Sequence, residues 1–65
     1  MTFKFNGEVI TIPESISIKE YISSLKIDTN GLIVLLNDEV LDKNEHEKLI
    51  FENCNVEVLR FVSGG

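Results

Sequence analysis

The sequence is poor in the residues that build disulfides, metal sites and nucleic-acid surfaces. Its 65 residues include one cysteine and one histidine, and six basic residues stand against eleven acidic ones. The single Cys54 excludes an internal disulfide, which small secreted domains usually need. The net charge of −5 argues against nucleic acid, whose phosphates would be repelled. No apolar run approaches the roughly 20 residues of a membrane span, and no secretory leader is recognisable. We therefore expect a cytoplasmic protein that binds neither nucleic acid nor membrane.

The chain also lacks the groups that catalysis needs. His46 and Cys54 could act as a nucleophilic pair only in contact, and their acidic surroundings disfavour a thiolate. One histidine and one cysteine do not supply the paired spacing of a zinc site. Gly7 and Gly31 stand singly in predicted turns, so they do not form a phosphate-binding loop. We predict no catalytic residue, no bound cofactor and no metal, and expect the protein to act through partner proteins.

What is present is the composition of one small globular domain. Hydrophobic residues make up 43% of the chain, and a domain of this size buries about 60% of its unfolded surface. The acidic residues concentrate in residues 38–52, where six of them stand against two lysines. Two interpretations of this stretch remain open: a solvated face that keeps the protein soluble, or a surface that steers a basic protein partner.

Local signals predict where the chain turns and where its helix begins. Asn6-Gly7 follows two alternating phenylalanines and is the strongest short signal for a hairpin, because a type I′ turn needs positive φ at both central residues. Ser17 and Glu20 have the spacing of a capping box, which starts a helix. Four apolar residues then recur at helical spacing on one face. They are Ile18, Tyr21, Ile22 and Leu25.

The remaining segments complete an α+β order of elements. The predicted elements are strands at residues 2–5, 9–12, 32–36, 40–41 and 56–62, a helix at residues 18–26, and a helical turn at residues 44–48. In the helical turn, Asn44 is the predicted cap and Glu47 reaches back to it. One helix beside several strands predicts a sheet with one face covered by the helix.

The last strand presents two apolar residues on an unexpected face. If Val56 and Val58 face the core, the period of two places Leu59 and Phe61 on the other side. This exposure is either incidental, since single apolar surface residues are ordinary, or a docking patch that includes Leu35 of the neighbouring strand. Arg60 is either a solubility charge or a contact to an acidic partner.

The sequence ends in Ser63-Gly64-Gly65 directly after this strand. Glycine has no side chain to pack and is the most flexible residue. We expect a mobile tail that threads a narrow channel on another protein and presents its carboxylate there. Chance and an expression scar are the alternatives for an isolated glycine pair.

Together these features resemble the ubiquitin-like β-grasp fold and, more narrowly, the ThiS family of thiamine-biosynthesis sulfur carriers. The resemblance rests on Phe5-Asn6-Gly7-Glu8, on residues 33–37, and on residues 56–58 leading to Phe61-Val62-Ser63-Gly64-Gly65. Asp42-Lys43 and Asn53-Cys54 depart from the family pattern, but both lie in turns. The resemblance implies a mixed four- to five-stranded sheet with one main helix on one face, a β-grasp domain at residues 1–62 and a flexible tail at residues 63–65.

The resemblance also implies a mechanism. An adenylyltransferase of the ubiquitin-activating type would use ATP and magnesium to adenylate the Gly65 carboxylate. A sulfur donor protein would then convert Gly65 to a thiocarboxylate, which a thiazole synthase would consume. Three alternatives remain open. They are a small subunit of molybdopterin synthase or a carrier for another sulfur pathway, a ubiquitin-like modifier joined through Gly65 to target lysines, and a plain interaction domain.

Overall fold

A mixed sheet and one α-helix make up residues 1–60, which the computed structural model describes. In chain order the elements are β1 (Thr2–Phe5), β2 (Glu8–Thr11), α1 (Ile18–Ser24), β3 (Leu32–Leu36), β4 (Glu39–Leu41), a 3-10 helix (Lys43–Glu45) and β5 (Asn55–Arg60). The strands form one sheet in the order β2-β1-β5-β3-β4. Strand β5 is parallel to β1 and antiparallel to β3. The predicted α+β order is confirmed, and the predicted domain boundary at residue 62 lies outside the described residues.

The hydrophobic core lies between α1 and one face of the sheet. Phe3, Val34 and Val56 come from the three central strands and meet Ile18 and Ile22 of the helix. Each such side chain contributes roughly 1.5–3 kcal/mol by leaving water. The other buried apolar side chains of this cluster are Leu41, Ile50 and Cys54.

The first hairpin forms as its turn residues predict. Asn6 and Gly7 both have positive φ, +50° and +85°, which is the requirement of a type I′ turn. The flanking Phe5 and Glu8 are cross-strand partners, so the turn contains two residues. A second pair with positive φ, Asn37 and Asp38, joins β3 to β4 in the same way.

The helix begins at the predicted residue and ends earlier than predicted. The Glu20 N–H donates to Ser17 Oγ at 3.0 Å, and the Ser17 N–H donates to Glu20 Oε1 at 3.3 Å. At the other end the Ser24 hydroxyl donates to the Tyr21 carbonyl at 2.6 Å, and the last turn tightens to i→i−3 bonds. The helix therefore stops at Ser24 rather than Lys26, and Leu25, predicted on the buried face, is 37% exposed.

The predicted helical turn is present, but its capping residue was predicted two residues too late. The 3-10 helix spans Lys43–Glu45, and its capping residue is Asp42, whose N–H donates to Glu45 Oε1 at 3.0 Å. The prediction of Asn44 as cap with Glu47 reaching back is wrong. Both pairs have the same three-residue spacing. Leu41, the residue before Asp42, is buried and ends β4. The helical turn therefore begins directly after it, at the Asp42–Glu45 pair rather than at Asn44–Glu47.

Two turn asparagines hold β5 from opposite sides. Asn6 donates its N–H to the Val56 carbonyl at 2.9 Å, and its Oδ1 accepts from the Val58 N–H at 2.8 Å. Asn37 does the same with Asn55, at 2.8 Å for the N–H and 2.9 Å for Oδ1. In each case the backbone beyond the asparagine turns away from β5. The asparagine side chain then supplies the next hydrogen bond to that strand. The last strand is thereby fixed to both hairpins.

The Asn6 contact can be tested without disturbing the turn. Asn6→Gly keeps the positive φ but removes the acceptor for Val58, and we expect a loss of about 1 kcal/mol in the free energy of unfolding. Asn6→Asp is the matched control, because it keeps an acceptor oxygen and tolerates the left-handed region. Urea unfolding measures both variants. Equal stability of the glycine variant and the wild type would show that the bond contributes nothing.

A second prediction concerns Tyr21, whose ring packs edge-on against Phe3 and Phe5 at centroid distances of 5.2 and 5.1 Å. Burial, and then the charge of Glu8, raise the pKa of Tyr21 above its usual value near 10. The folded state thus favours the protonated phenol. This preference stabilises the folded protein fully at pH values below the pKa of Tyr21 in the unfolded chain. The stabilisation is lost as the pH rises through the higher pKa of Tyr21 in the folded protein.

With one tyrosine and no tryptophan in the chain, tyrosinate absorbance reports this residue alone. We expect its titration midpoint to lie higher in the folded protein than in urea. As the pH rises into the alkaline range, the free energy of unfolding should fall less in Tyr21→Phe than in the wild type, because the variant has no phenol to ionise. A shared midpoint in the folded and unfolded states would contradict this.

Candidate functional site

The strand that leads to the sequence end lies in the middle of the sheet. Strand β5 pairs with β1 on one side and with β3 on the other, and its last described pair is Arg60 with Leu32. Both edges of the sheet are other strands, β2 and β4. The predicted site residues Phe61, Ser63, Gly64 and Gly65 lie outside the described residues.

The two faces of β5 are occupied as the sequence predicted. Val56 is fully buried, and Val58 packs against the core. Leu59 is 53% exposed on the opposite face. The alternation of side chains along the strand is the reason, since one face meets α1 and the other does not. The role of Leu59 in partner binding stays a prediction.

An apolar patch extends from Leu59 across the neighbouring strands. Leu59 lies directly opposite Ile33 on β3, and Leu35, half-buried, lies opposite Val40 on β4. Directly paired side chains are in contact range, and residues two apart on one strand share a face. These four residues, Ile33, Leu35, Val40 and Leu59, are called the outer patch below. Val40 is 65% exposed, which makes it the most accessible of the four.

Sequence reasoning missed Ile33 and Val40. The period of two along β3 already places Ile33 on the face of Leu35, so the pattern contained that signal. Val40 could not be placed in the same way, because its facing depends on the register between β3 and β4. The turn at Asn37 and Asp38 fixes that register.

Negative charge borders the outer patch. Glu57 pairs with Leu35 across the strands and accepts a hydrogen bond from Asn55 Nδ2 at 3.2 Å. In residues 38–52 the structure shows one ion pair, between Lys48 Nζ and Glu45 Oε2 at 3.4 Å. The backbone N–H of Asp42 and then Lys48 lower the pKa of Glu45. Glu39 of this segment precedes Val40 on β4. The carbonyls of His46 and Lys48 instead accept hydrogen bonds from the N–H groups of Lys19 and Ile18, so this part of the segment lies on the helix side of the sheet.

Arg60 contacts the chain's own loop after the helix. Its Nη2 donates to the backbone carbonyl of Asp28 at 2.8 Å, and its Nη1 lies 4.0 Å from Asp28 Oδ2. Both side chains remain about half exposed. The sequence left two interpretations of Arg60 open, and this intramolecular contact is a third.

Cys54 and His46, the two residues considered as a nucleophilic pair, lie away from the outer patch. Cys54 is wholly buried in the core, so substrates do not reach its thiol. His46 lines an open groove of about 520 Å³ beside α1, together with Lys19, Lys43 and Glu47. Residues 1–60 contain no group of three or more His, Cys, Asp or Glu side chains that could hold a metal ion. In the same part of the chain, no helix has the length and apolar character to span a membrane.

Comparison with known proteins identifies relatives over the full chain. Residues 3–65 match the model of the ThiS family. The chain is similar to the crystal structure of a thiamine biosynthesis protein, ThiS, from Geobacter metallireducens, with 32% identity, a TM-score of 0.86 and full coverage of both chains. It is also similar to the solution structure of a thiamine biosynthesis protein from the same organism, with 30% identity, a TM-score of 0.77, and coverage of 100% of this chain and 88% of the other. Among curated proteins, no match was found. The similarity confirms the ubiquitin-like β-grasp fold.

Proposed function

The chain belongs to the ThiS family, and we propose that it is a sulfur carrier of thiamine biosynthesis whose Gly65 carboxylate receives the sulfur. The observation that supports this best is the family match, which extends from residue 3 through Gly65. The fold adds a second support, because the strand that leads to Gly65 is a central one. The body of the protein then serves to present its last residues.

The chemistry follows from the weakness of a carboxylate as an electrophile. An adenylyltransferase of the ubiquitin-activating type transfers AMP from ATP to the Gly65 carboxylate and releases pyrophosphate, with magnesium held by that enzyme. The terminal sulfur of a persulfide on a sulfur donor protein attacks the acyl-adenylate and displaces AMP. A thiol then cleaves the S–S bond and leaves a thiocarboxylate on Gly65. A thiazole synthase consumes this sulfur.

The glycines suit this chemistry because they leave the reacting carbonyl uncovered. A side chain at Gly64 or Gly65 would crowd the path of the attacking sulfur and widen the segment that enters the active site. Ser63 adds only a small side chain. In the first step the Gly65 carboxylate is the nucleophile, which attacks the α-phosphate of ATP and displaces pyrophosphate. The activating enzyme binds the ATP and magnesium and supplies the catalytic side chains.

Partner docking is assigned to the outer patch. Leu35 and Leu59, with Ile33 and Val40, form an apolar surface beside the strand that leads to the tail. Phe61, two residues after Leu59 in the sequence, is the third residue that the sequence predicts for docking. Glu57, which pairs with Leu35, and the net negative charge of the chain steer a partner that is basic around its apolar groove. Membership of the ThiS family supports this function over the molybdopterin synthase subunit, a carrier for another sulfur pathway and the ubiquitin-like modifier.

Intact mass spectrometry tests the sulfur transfer directly. After incubation with the cognate activating enzyme, ATP, magnesium and a persulfide donor, we expect one carboxyl oxygen to be replaced by sulfur, at Gly65. Gly64→Val should abolish the exchange, because its branched side chain blocks the channel and the carbonyl. Ser63→Ala is the control and should react normally.

Two results would contradict the proposal. Absence of both adenylate and sulfur exchange with every cognate activating enzyme would reject the carrier function. Normal exchange in the Gly64→Val protein would instead reject the steric role of the glycine.

The docking role of the outer patch is tested by a matched pair of variants. Leu59→Asp places a charge in the patch, whereas Val9→Asp places the same charge on the exposed side chain of edge strand β2. We expect the first to raise the Kd for the activating enzyme by about tenfold or more, since burying a leucine is worth roughly 1.5–3 kcal/mol. The second should leave the Kd near its wild-type value.

Urea unfolding serves as the control for both proteins. Each substitution is at an exposed position, so we expect changes within about 0.5 kcal/mol. An equal effect of the two variants on binding would show that added charge, rather than the patch, weakens the complex. Unfolding of Leu59→Asp would show that this side chain belongs to the fold.

A further inference from the structure

Arg60 is held at two points just before the described residues end. Its backbone pairs with Leu32 at the start of β3, and its guanidinium donates to the Asp28 carbonyl at 2.8 Å. Gly65 is the fifth residue after it in the sequence. The side chain therefore reaches back from the last strand to the loop between α1 and β3.

The loop that receives Arg60 is itself ordered by local hydrogen bonds. The Asn30 N–H donates to Asp28 Oδ1 at 3.0 Å, and the Leu32 N–H donates to the Thr29 carbonyl at 3.2 Å. The Asp28 carbonyl is thus presented by a turn that leads directly into β3. Because Arg60 pairs with the first residue of that strand, the two contacts hold the same end of the sheet.

This contact has little value for overall stability. The two side chains are about half exposed, and exposed ion pairs contribute about 0–1 kcal/mol. Its geometric effect is larger, because terminal strand pairs fray when the backbone ladder alone holds them. A planar guanidinium that contacts both a carbonyl and a carboxylate restrains position and direction together.

We propose that Arg60 is a positioning residue for the acyl transfer at Gly65, a role that rests on the proposed function. By fixing β5 to the Asp28 loop, it sets the point and direction from which the chain continues toward the activating enzyme. A reacting carboxylate reaches its target faster when the segment that carries it starts from a fixed origin. Arg60 does not touch the reacting atoms, so it acts only through the tail.

Kinetics of pyrophosphate release by the activating enzyme separate this role from docking. For Arg60→Gln we expect kcat to fall about fivefold with KM near the wild-type value, since the outer patch still docks. Asp28→Asn keeps the carbonyl acceptor and the Oδ1 that accepts from Asn30, and it should retain most of the rate. Lys4→Gln is the charge control, because Lys4 is an exposed cation on β1, and it should behave as the wild type.

A measurement on the free protein supplies a second readout. We expect the NMR order parameter of the residue 60 backbone amide to fall in Arg60→Gln and to stay unchanged in Lys4→Gln. Arg60→Lys keeps the positive charge but loses the planar guanidinium group. Its kcat should lie between those of Arg60→Gln and the wild type. Thermal unfolding should show all variants folded at the assay temperature.

Three results would overturn the positioning role. A rise in KM with unchanged kcat would show that Arg60 contacts the enzyme directly. Full activity of Arg60→Lys would show that charge alone matters, and normal kcat and order parameter in Arg60→Gln would show no role. Failure of the wild-type protein to be adenylated is a different outcome, because it rejects the proposed function and the positioning role together.

Discussion

The rest of the structure depends on the pairing of the last strand between two earlier ones. Strand β5 forms its ladders with β1, about fifty residues earlier in the chain, and with β3. Such a strand cannot leave the sheet without breaking hydrogen bonds on both sides, whereas an edge strand loses only one ladder. The asparagines at the two hairpin turns add bonds to the same strand. The chain therefore leaves the sheet from a central strand, although at Arg60 only the pairing with β3 remains.

The single helix creates a difference between the two sheet faces. Side chains that meet α1 form the core, and the opposite face has no helix over it in residues 1–60. That outer face is uneven. On β1 and β2 it carries the polar residues Thr2, Lys4 and Thr11 and one exposed apolar residue, Val9. On β5, β3 and β4 it carries the outer patch. Apolar surface is thus concentrated beside the strand that leads to Gly65. A docking surface in this position brings a partner to the site of the proposed chemistry.

Sequence reasoning succeeded where the signal was local. The Asn6-Gly7 turn and the capping box of Ser17 depend on neighbouring residues alone, and both formed as predicted. The 3-10 helix was misplaced because Asp42 and Asn44 offer the same capping spacing, and only the burial of the preceding strand decides between them.

The outer patch and the contact of Arg60 depend on residues that are distant in sequence. Val40 joins the patch only through the register of β3 and β4, and Asp28 meets Arg60 only because the sheet brings them together. No pattern within a short window contains that information. The last five residues, which include Gly64 and Gly65, remain predictions from sequence.

The acidic character of the body raises a physical question about the proposed reaction, because ATP and a carboxylate are also negative. Charges separated by more than about 8 Å are largely screened at physiological ionic strength. Five residues beyond Arg60 can extend to at most about 17 Å, which is roughly twice that distance. The length of the tail therefore allows the acidic surface to attract a basic partner while the Gly65 carboxylate reacts outside the field of that surface. The same charge that would repel nucleotide near the body can then favour docking without opposing adenylation.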